Sequence, residues 1–298
     1  RGRAAGHRAL RALRMIDDLP GPVAVVAHDA GAANMMFAWI AASARNDLRV
    51  AVAGPAESLW RAQFPGCSPV PSIAAALEGA ATLLSGTGWA SDMEHEARVI
   101  AARRGIHSIA VLDHWVNYAP RFERNGERQL PDALWVGDEY AAAIARREFG
   151  DMTISQQPNS YLENQAREAG PVPREGDVLF VAEPARSSWG YDTPGEFQAL
   201  DHFMANRTSL DIGQNVGVRL RPHPSDEPDK YDGWIAAHPG VTLDRAASMG
   251  EALGKARWVV GLNSFALVIA LKAGRTAISC LPPWAPDCVL PHDDIRRL

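Results

Sequence analysis

The chain has 298 residues, 47% of them hydrophobic, and a formal net charge of −5. That length accommodates two domains of ordinary size with sizeable cores, and the acidic balance argues against a nucleic-acid partner, which calls for a basic face. Cys67, Cys280 and Cys288 have neither disulfide-framework nor CxxC zinc spacing, which fits a reducing cytoplasm, and no apolar run reaches the ~18 residues of a membrane span.

In chain order, residues 1–14 are basic, with no apolar signal core behind them. Arg8, Arg11 and Arg14 fall close to one face of a helix. Such a stripe is either solvated or a peripheral contact with an anionic membrane at its inner face. Val23–Ala27 then reads as a first strand and 32–45 as a helix. A strand at 50–53, a short helix at 57–64, a strand at 81–85 and a helix at 92–104 follow. After a strand at 109–112 comes an irregular stretch, 113–130, then a strand Ala133–Val136 and a helix Glu139–Phe149. The segment 170–177, Gly-Pro-Val-Pro-Arg-Glu-Gly-Asp, reads as a linker.

Beyond it the pattern restarts. Strands are expected at 178–182, 216–220, Val241–Leu243, 258–260 and 276–280. Helices are expected at Gly195–Asn206, 231–237, 248–256 and 266–273. Strands alternating with helical segments mean βαβ units and parallel sheets. The fold class is therefore α/β, with two Rossmann-like domains, 1–170 and 178–298, facing across a cleft.

Six strand ends in this scheme carry chemistry, because ligands of parallel α/β sheets bind at the C-terminal ends of the strands. His28-Asp29-Ala30-Gly31 follows the first strand. With one glycine it is not the GxGxxG dinucleotide fingerprint; Asp29 is either a helix cap or a group that meets a ligand. Ser85-Gly86-Thr87-Gly88-Trp89 leads to Ser91 and Glu94, spaced as a capping box. Asp92 or Glu94 is a base candidate if it points toward a ligand. Asp113-His114-Trp115-Val116-Asn117-Tyr118 opens the long irregular stretch, either a packed aromatic loop or an acid/base pair beside rings that stack on a sugar.

In the second half, Arg219-Leu220-Arg221-Pro222-His223-Pro224 and Gly261-Leu262-Asn263-Ser264 each read as a strand leading into a turn. Prolines on both sides restrict the backbone of His223 and so fix the direction of its imidazole. Asn263 and Ser264 open a helix, whose N–H groups suit an anion. Arg221 adds a guanidinium, and Glu183, with Arg186, Ser187 and Ser188, follows the first strand of this half. The set fits a nucleotide mono- or diphosphate. No H-E-x-x-H or clustered Asp/His spacing points to a metal.

An R-x-HP turn and a later G-x-N-S turn opening a helix, on paired Rossmann-like halves, resemble the GT-B glycosyltransferases. Among these the pattern is most similar to the bacterial surface-polysaccharide enzymes: sialyl- and polysialyltransferases, capsule Kdo transferases and CDP-glycerol glycerophosphotransferases. The resemblance implies that His223 and Pro224 engage the phosphate of a cytidine-linked donor, helped by Ser264. The Asp/Glu-Asp/Glu-Gly motif of the sialyltransferases is not visible, and the closing C-terminal helices of that architecture have no counterpart before Leu298.

The activity so implied is a metal-independent, cytoplasmic glycosyltransferase with no cofactor, the nucleotide-sugar being a substrate. The donor sits on the second domain, gripped by Arg221, His223, Pro224, Asn263 and Ser264, with Glu183 nearby. A glycan, lipid-linked or protein acceptor enters from the first domain, where Asp29, Asp92 or Asp113 is the base. Three other readings keep the same grip: a nucleotide-sugar 2-epimerase, a polyol-phosphate transferase, and a non-catalytic nucleotide- or glycan-binding protein.

Overall fold

A computed structural model of the protein describes residues 16–298; the basic residues Arg8, Arg11 and Arg14 lie outside them. The chain divides into two compact units, the first reaching Tyr161 and the second spanning Leu162–Leu298.

The first unit contains Val23–Ala27 (β1), Leu48–Val52 (β2), Thr82–Ser85 (β3), His107–Leu112 (β4), Glu123–Arg124 (β5), Glu127–Arg128 (β6), Ala133–Val136 (β7) and Thr153–Gln156 (β8). Six of these form a parallel sheet in the order β2-β1-β3-β4-β7-β8. All five residues of β1 are buried. Val23, Val25 and Ala27 enter one core cluster, and Ala24 and Val26 enter a second. A strand covered on both faces has no polar side to show, which is why it reads as a continuous apolar run. The helix after β1, Ala30–Ala41, is apolar almost throughout and buries Met35, Met36, Phe37 and Trp39.

The second unit contains Asp177–Val181 (β9), Val218–Arg221 (β10), Val241–Leu243 (β11), Ala256–Gly261 (β12), Thr276–Ser279 (β13) and Arg296–Arg297 (β14). They pair in parallel in the order β11-β10-β9-β12-β13-β14, the nucleotide-binding order of doubly wound sheets. The core here gathers Val178, Phe180, Phe203, Leu220, Val260 and Ile278.

Several expectations change. The expected helix at 32–45 ends at Ala41. Beyond it Arg45 donates to the carbonyls of Ile16 and Leu19 at 2.9 and 2.6 Å, contacts outside any helical geometry. The stretch 113–130 contains the β5–β6 hairpin. Its turn is Asn125-Gly126, with φ of 52° and 80°, the positive values that two-residue hairpins need. Strand β8 and the helix Ser160–Ala169 were not expected. The linker-like segment is tied within the second unit by Arg275, whose guanidinium donates to the carbonyls of Ala169, Gly170 and Pro171 at 2.9, 2.6 and 3.1 Å. Among the described residues no helix is long and apolar enough to cross a membrane.

Candidate functional site

In each sheet the connections reverse direction at one place, and ligands of such sheets bind there, at the C-terminal ends of the flanking strands. In the first sheet this place lies between β1 and β3; in the second it lies between β9 and β12.

The turns after β1, β3 and β4 lie against one another. A Cβ on Gly88 would overlap the Asp29 carboxylate, and one on Gly31 would overlap that of Asp113, so only glycine admits these approaches. Asp29 stands at the start of the helix Ala30–Ala41 but makes no side-chain cap. Instead Oδ1 faces His28 Nδ1 at 2.7 Å. In the tautomer that carries the ring proton on Nδ1, His28 donates to the Asp29 carboxylate.

The capping box expected of Ser91 and Glu94 does not form. Asp92 occupies the cap position without a cap bond, and Ser91 Oγ accepts from Met93 N at 3.2 Å. The Glu94 carboxylate is drawn elsewhere: it accepts from His28 N at 2.9 Å and from Gly88 N at 2.5 Å. One buried carboxylate thus ties the β1 turn to the β3 turn. Burial raises its pKa, against the two N–H bonds and Arg98, with Asp29 adding to the rise.

Asp113 accepts from Arg121 Nη1 at 2.7 Å, and the same nitrogen donates to Thr87 Oγ1 at 3.1 Å. Asp92 is exposed and bonded to Arg124 at 2.9 Å, and Arg124 in turn donates to Gly88 O at 2.9 Å. Asp29 and Asp113 therefore flank one group of turns, and Asp92 reaches it only through Arg124.

In the second unit Pro222, His223 and Pro224 follow β10 directly. His223 Nδ1 accepts from Ser225 N at 3.2 Å and stands 2.7 Å from Ser225 Oγ. The neutral ring consequently carries its proton on Nε2. Desolvation lowers the His223 pKa, opposed by Asp226 and assisted by Arg186 and Lys230. The turn is fixed by Asp226, whose Oδ2 accepts from His223 N at 2.9 Å and whose Oδ1 accepts from Lys230 at 2.7 Å. His223 is thus an exposed side chain held through Nδ1, with an N–H donor on Nε2 and the cations Arg186 and Lys230 close enough to act on it. Arg221 is directed away from this turn, to Asp244 Oδ2 at 2.5 Å and Ala246 O at 3.0 Å.

Across the β9/β12 reversal, Glu183 accepts from Asn263 N at 2.8 Å. Burial pushes its carboxyl up to about 7, the Asn263 bond pulling the other way. Ser264 caps the helix Phe265–Lys272, accepting from Ala266 N at 3.2 Å. Asn263 Oδ1 accepts from Val289 N at 2.8 Å. Arg186 has φ of 53°, a left-handed conformation costly for a side-chain-bearing residue and frequent at functional turns.

Sequence reasoning missed Glu94 as a tie between turns, and it missed Arg121, Arg124 and Asp226 altogether. The partners of Glu94, Arg121 and Arg124 lie outside the local windows in which patterns are read, whereas Asp226 sits three residues from His223. Among the described residues no three His, Cys, Asp or Glu side chains gather as metal ligands.

No protein-family model and no curated protein sequence matches the chain. Solved structures do. The glycotransferase of kitacinnamycin is 13% identical with a TM-score of 0.54, covering 94% of this chain and 86% of its own. A UDP-GlcNAc 2-epimerase from Neisseria meningitidis, solved with UDP-GlcNAc, is 10% identical with a TM-score of 0.55, covering 86% of this chain and 82% of its own. At such identities the likeness concerns the fold: this is an α/β protein with two Rossmann-like domains of the GT-B kind.

Proposed function

We propose that the protein is a metal-independent glycosyltransferase that moves a sugar from a nucleotide-activated donor to a glycan, lipid-linked or protein acceptor. The observation that carries this reading is the His223 turn. A neutral imidazole, held by Ser225 through Nδ1 so that Nε2–H is left to donate, with Arg186 nearby, suits a phosphate oxygen that gains charge as the donor bond breaks. The Ser264 helix start, at the neighbouring reversal point, offers a second place for the same anion. Arg221, engaged with Asp244, serves to stiffen the strand end. The cytidine-linked donor rests on the R-x-HP resemblance, as does the absence of a cofactor.

In the reaction, an acceptor hydroxyl loses its proton to Asp29, Asp92 or Asp113 while its oxygen bonds to the anomeric carbon. The bond from that carbon to the phosphate oxygen breaks, and its electron pair stays on the phosphate, stabilised by His223. The test is turnover with a panel of CMP-, CDP- and UDP-linked donors, followed by release of free nucleotide. His223→Ala should lower the rate by about 10²-fold or more, and loss of the true base among Asp29, Asp92 and Asp113 should cost a similar factor. Full turnover in all three aspartate variants would contradict the base assignment.

A second reading, a nucleotide-sugar 2-epimerase, is favoured by the carboxylates of Asp29, Glu94 and Asp113 around neighbouring turns, and by the fold of the Neisseria enzyme. Free sugar product formed without any acceptor would select it.

A further inference from the structure

Two of the large apolar side chains that the second unit exposes touch each other. Tyr191 is 56% exposed and Trp284 46% exposed, and their ring centroids lie 5.6 Å apart with planes inclined by 55°. Tyr191 belongs to the loop after β9 and Trp284 to the segment after β13. In a parallel sheet this puts both at the strand ends that also carry Asn263 and Ser264. The same segment continues to Val289, which donates to Asn263 Oδ1 at 2.8 Å.

Rings of this size are normally buried. Here a polar frame holds them in water. Trp284 Nε1 donates to Gln198 Oε1 at 2.7 Å, and Gln198 Nε2 donates to the carbonyls of Ser188 and Thr193, each at 2.7 Å. Gln198 itself is buried. Pro282 and Pro283 precede the tryptophan, and Ala285 N closes a turn onto Pro282 O at 2.9 Å. Trp284 also meets His202 edge to face, with ring centroids 5.9 Å apart.

We propose that Tyr191 and Trp284 form a stacking platform for a pyranose ring. A sugar ring has an apolar C–H face that packs on the electron-rich face of an aromatic ring, while its hydroxyls stay in water, as this half-exposed surface allows. Selecting one nucleobase takes edge groups to read it, and those here are spent: both amide atoms of Gln198 and the indole N–H are engaged within the frame. The sugar ring belongs either to the donor or to the acceptor. That choice of sources rests on the sugar-transfer reading; the platform itself does not.

Calorimetric titration tests the proposal, with maltohexaose, N-acetylchitohexaose, UDP-N-acetylglucosamine, CMP-N-acetylneuraminic acid, CMP and UDP as probes. At least one oligosaccharide or sugar nucleotide should bind about tenfold more weakly (~1.4 kcal/mol) to Trp284→Ala, with Tyr191→Ala changing in the same direction. Trp284→Phe and Tyr191→Phe, which keep a ring, should retain most of the affinity, and equal melting temperatures would exclude misfolding. Dependence on Trp284 for the free oligosaccharides marks an acceptor subsite; dependence for the sugar nucleotides, but not for CMP or UDP, marks a donor-sugar subsite. The proposal is overturned if no probe binds in a Trp284-dependent way, or if CMP or UDP alone loses affinity in Trp284→Ala. Oligosaccharide binding with no nucleotide binding would keep the platform and sink the transferase reading instead.

Discussion

Glu94 is the residue on which the first domain's turns depend. Its two carboxylate oxygens accept from His28 N and Gly88 N, groups that have no other acceptor on the way from β1 and β3. Glu94→Ala would strand both N–H groups in a buried place, at a cost of about 3 kcal/mol. Glu94→Gln should also destabilise, because its amide nitrogen would confront one of the two donors. Urea unfolding of both variants checks this; wild-type stability in Glu94→Gln would show that the tie is not formed. Such a role was not legible in the sequence. Ser91-x-x-Glu94 matches a capping box, and the box lost to two N–H groups that arrive from strands far away in the chain. Asp29, Asp113 and His223 were legible as polar groups at strand ends, which is where the structure has them. Their partners Arg121, Ser225 and Asp226 were only partly so, since Arg121 pairs across a loop while Ser225 and Asp226 sit within reach of the turn itself.

Glu183 gives a residue-scale prediction in pH. Its carboxyl is pushed up to about 7 by burial, whereas an unfolded glutamate titrates near ~4.3. Between these values the folded state binds more protons than the unfolded one, so stability falls as pH rises. The stabilising contribution is full below the unfolded value and is lost as pH climbs through about 7. Glu183→Gln keeps an acceptor for Asn263 N but cannot titrate. It should therefore flatten the stability profile over that range relative to wild type. Parallel profiles for the two proteins would contradict the assignment.

At the scale of elements, the strands of both sheets could be read because buried parallel strands are short apolar runs. Helices were readable where their apolar faces were broad, as in Ala30–Ala41. Strand β8 and the helix Ser160–Ala169 escaped because the strand is an edge of four residues, none of them buried, and the helix buries only Ala169. The β5–β6 hairpin had a readable signal in Asn125-Gly126, but its strands are two residues each, too short for an alternating pattern. Ser264 is the element-scale test. Its hydroxyl caps the helix Phe265–Lys272, so Ser264→Ala should cost about 1 kcal/mol of stability. If the helix start also holds a phosphate, the same substitution should weaken nucleotide binding while Ser248→Ala, at the cap of the helix Met249–Gly254, should not. Equal effects of the two variants on binding would leave Ser264 as a cap alone.

At the scale of the whole molecule, two sheets each place their reversal point under the turns that carry the chemistry: His28-Asp29 and Gly86–Gly88 in the first, Glu183 and Asn263–Ser264 in the second. Doubly wound sheets bind ligands at such points; the proposed nucleotide site is the one on the second domain, beside the His223 turn. The most direct test is a thermal shift with CMP, CDP, UDP, GDP and NAD on the wild type and on His223→Ala. A nucleotide at about a hundred times its dissociation constant adds roughly 2.7 kcal/mol of stability. The melting temperature should rise with CMP or CDP, and His223→Ala should abolish the rise. No rise with any nucleotide, or a rise that survives His223→Ala unchanged, would contradict the proposed site.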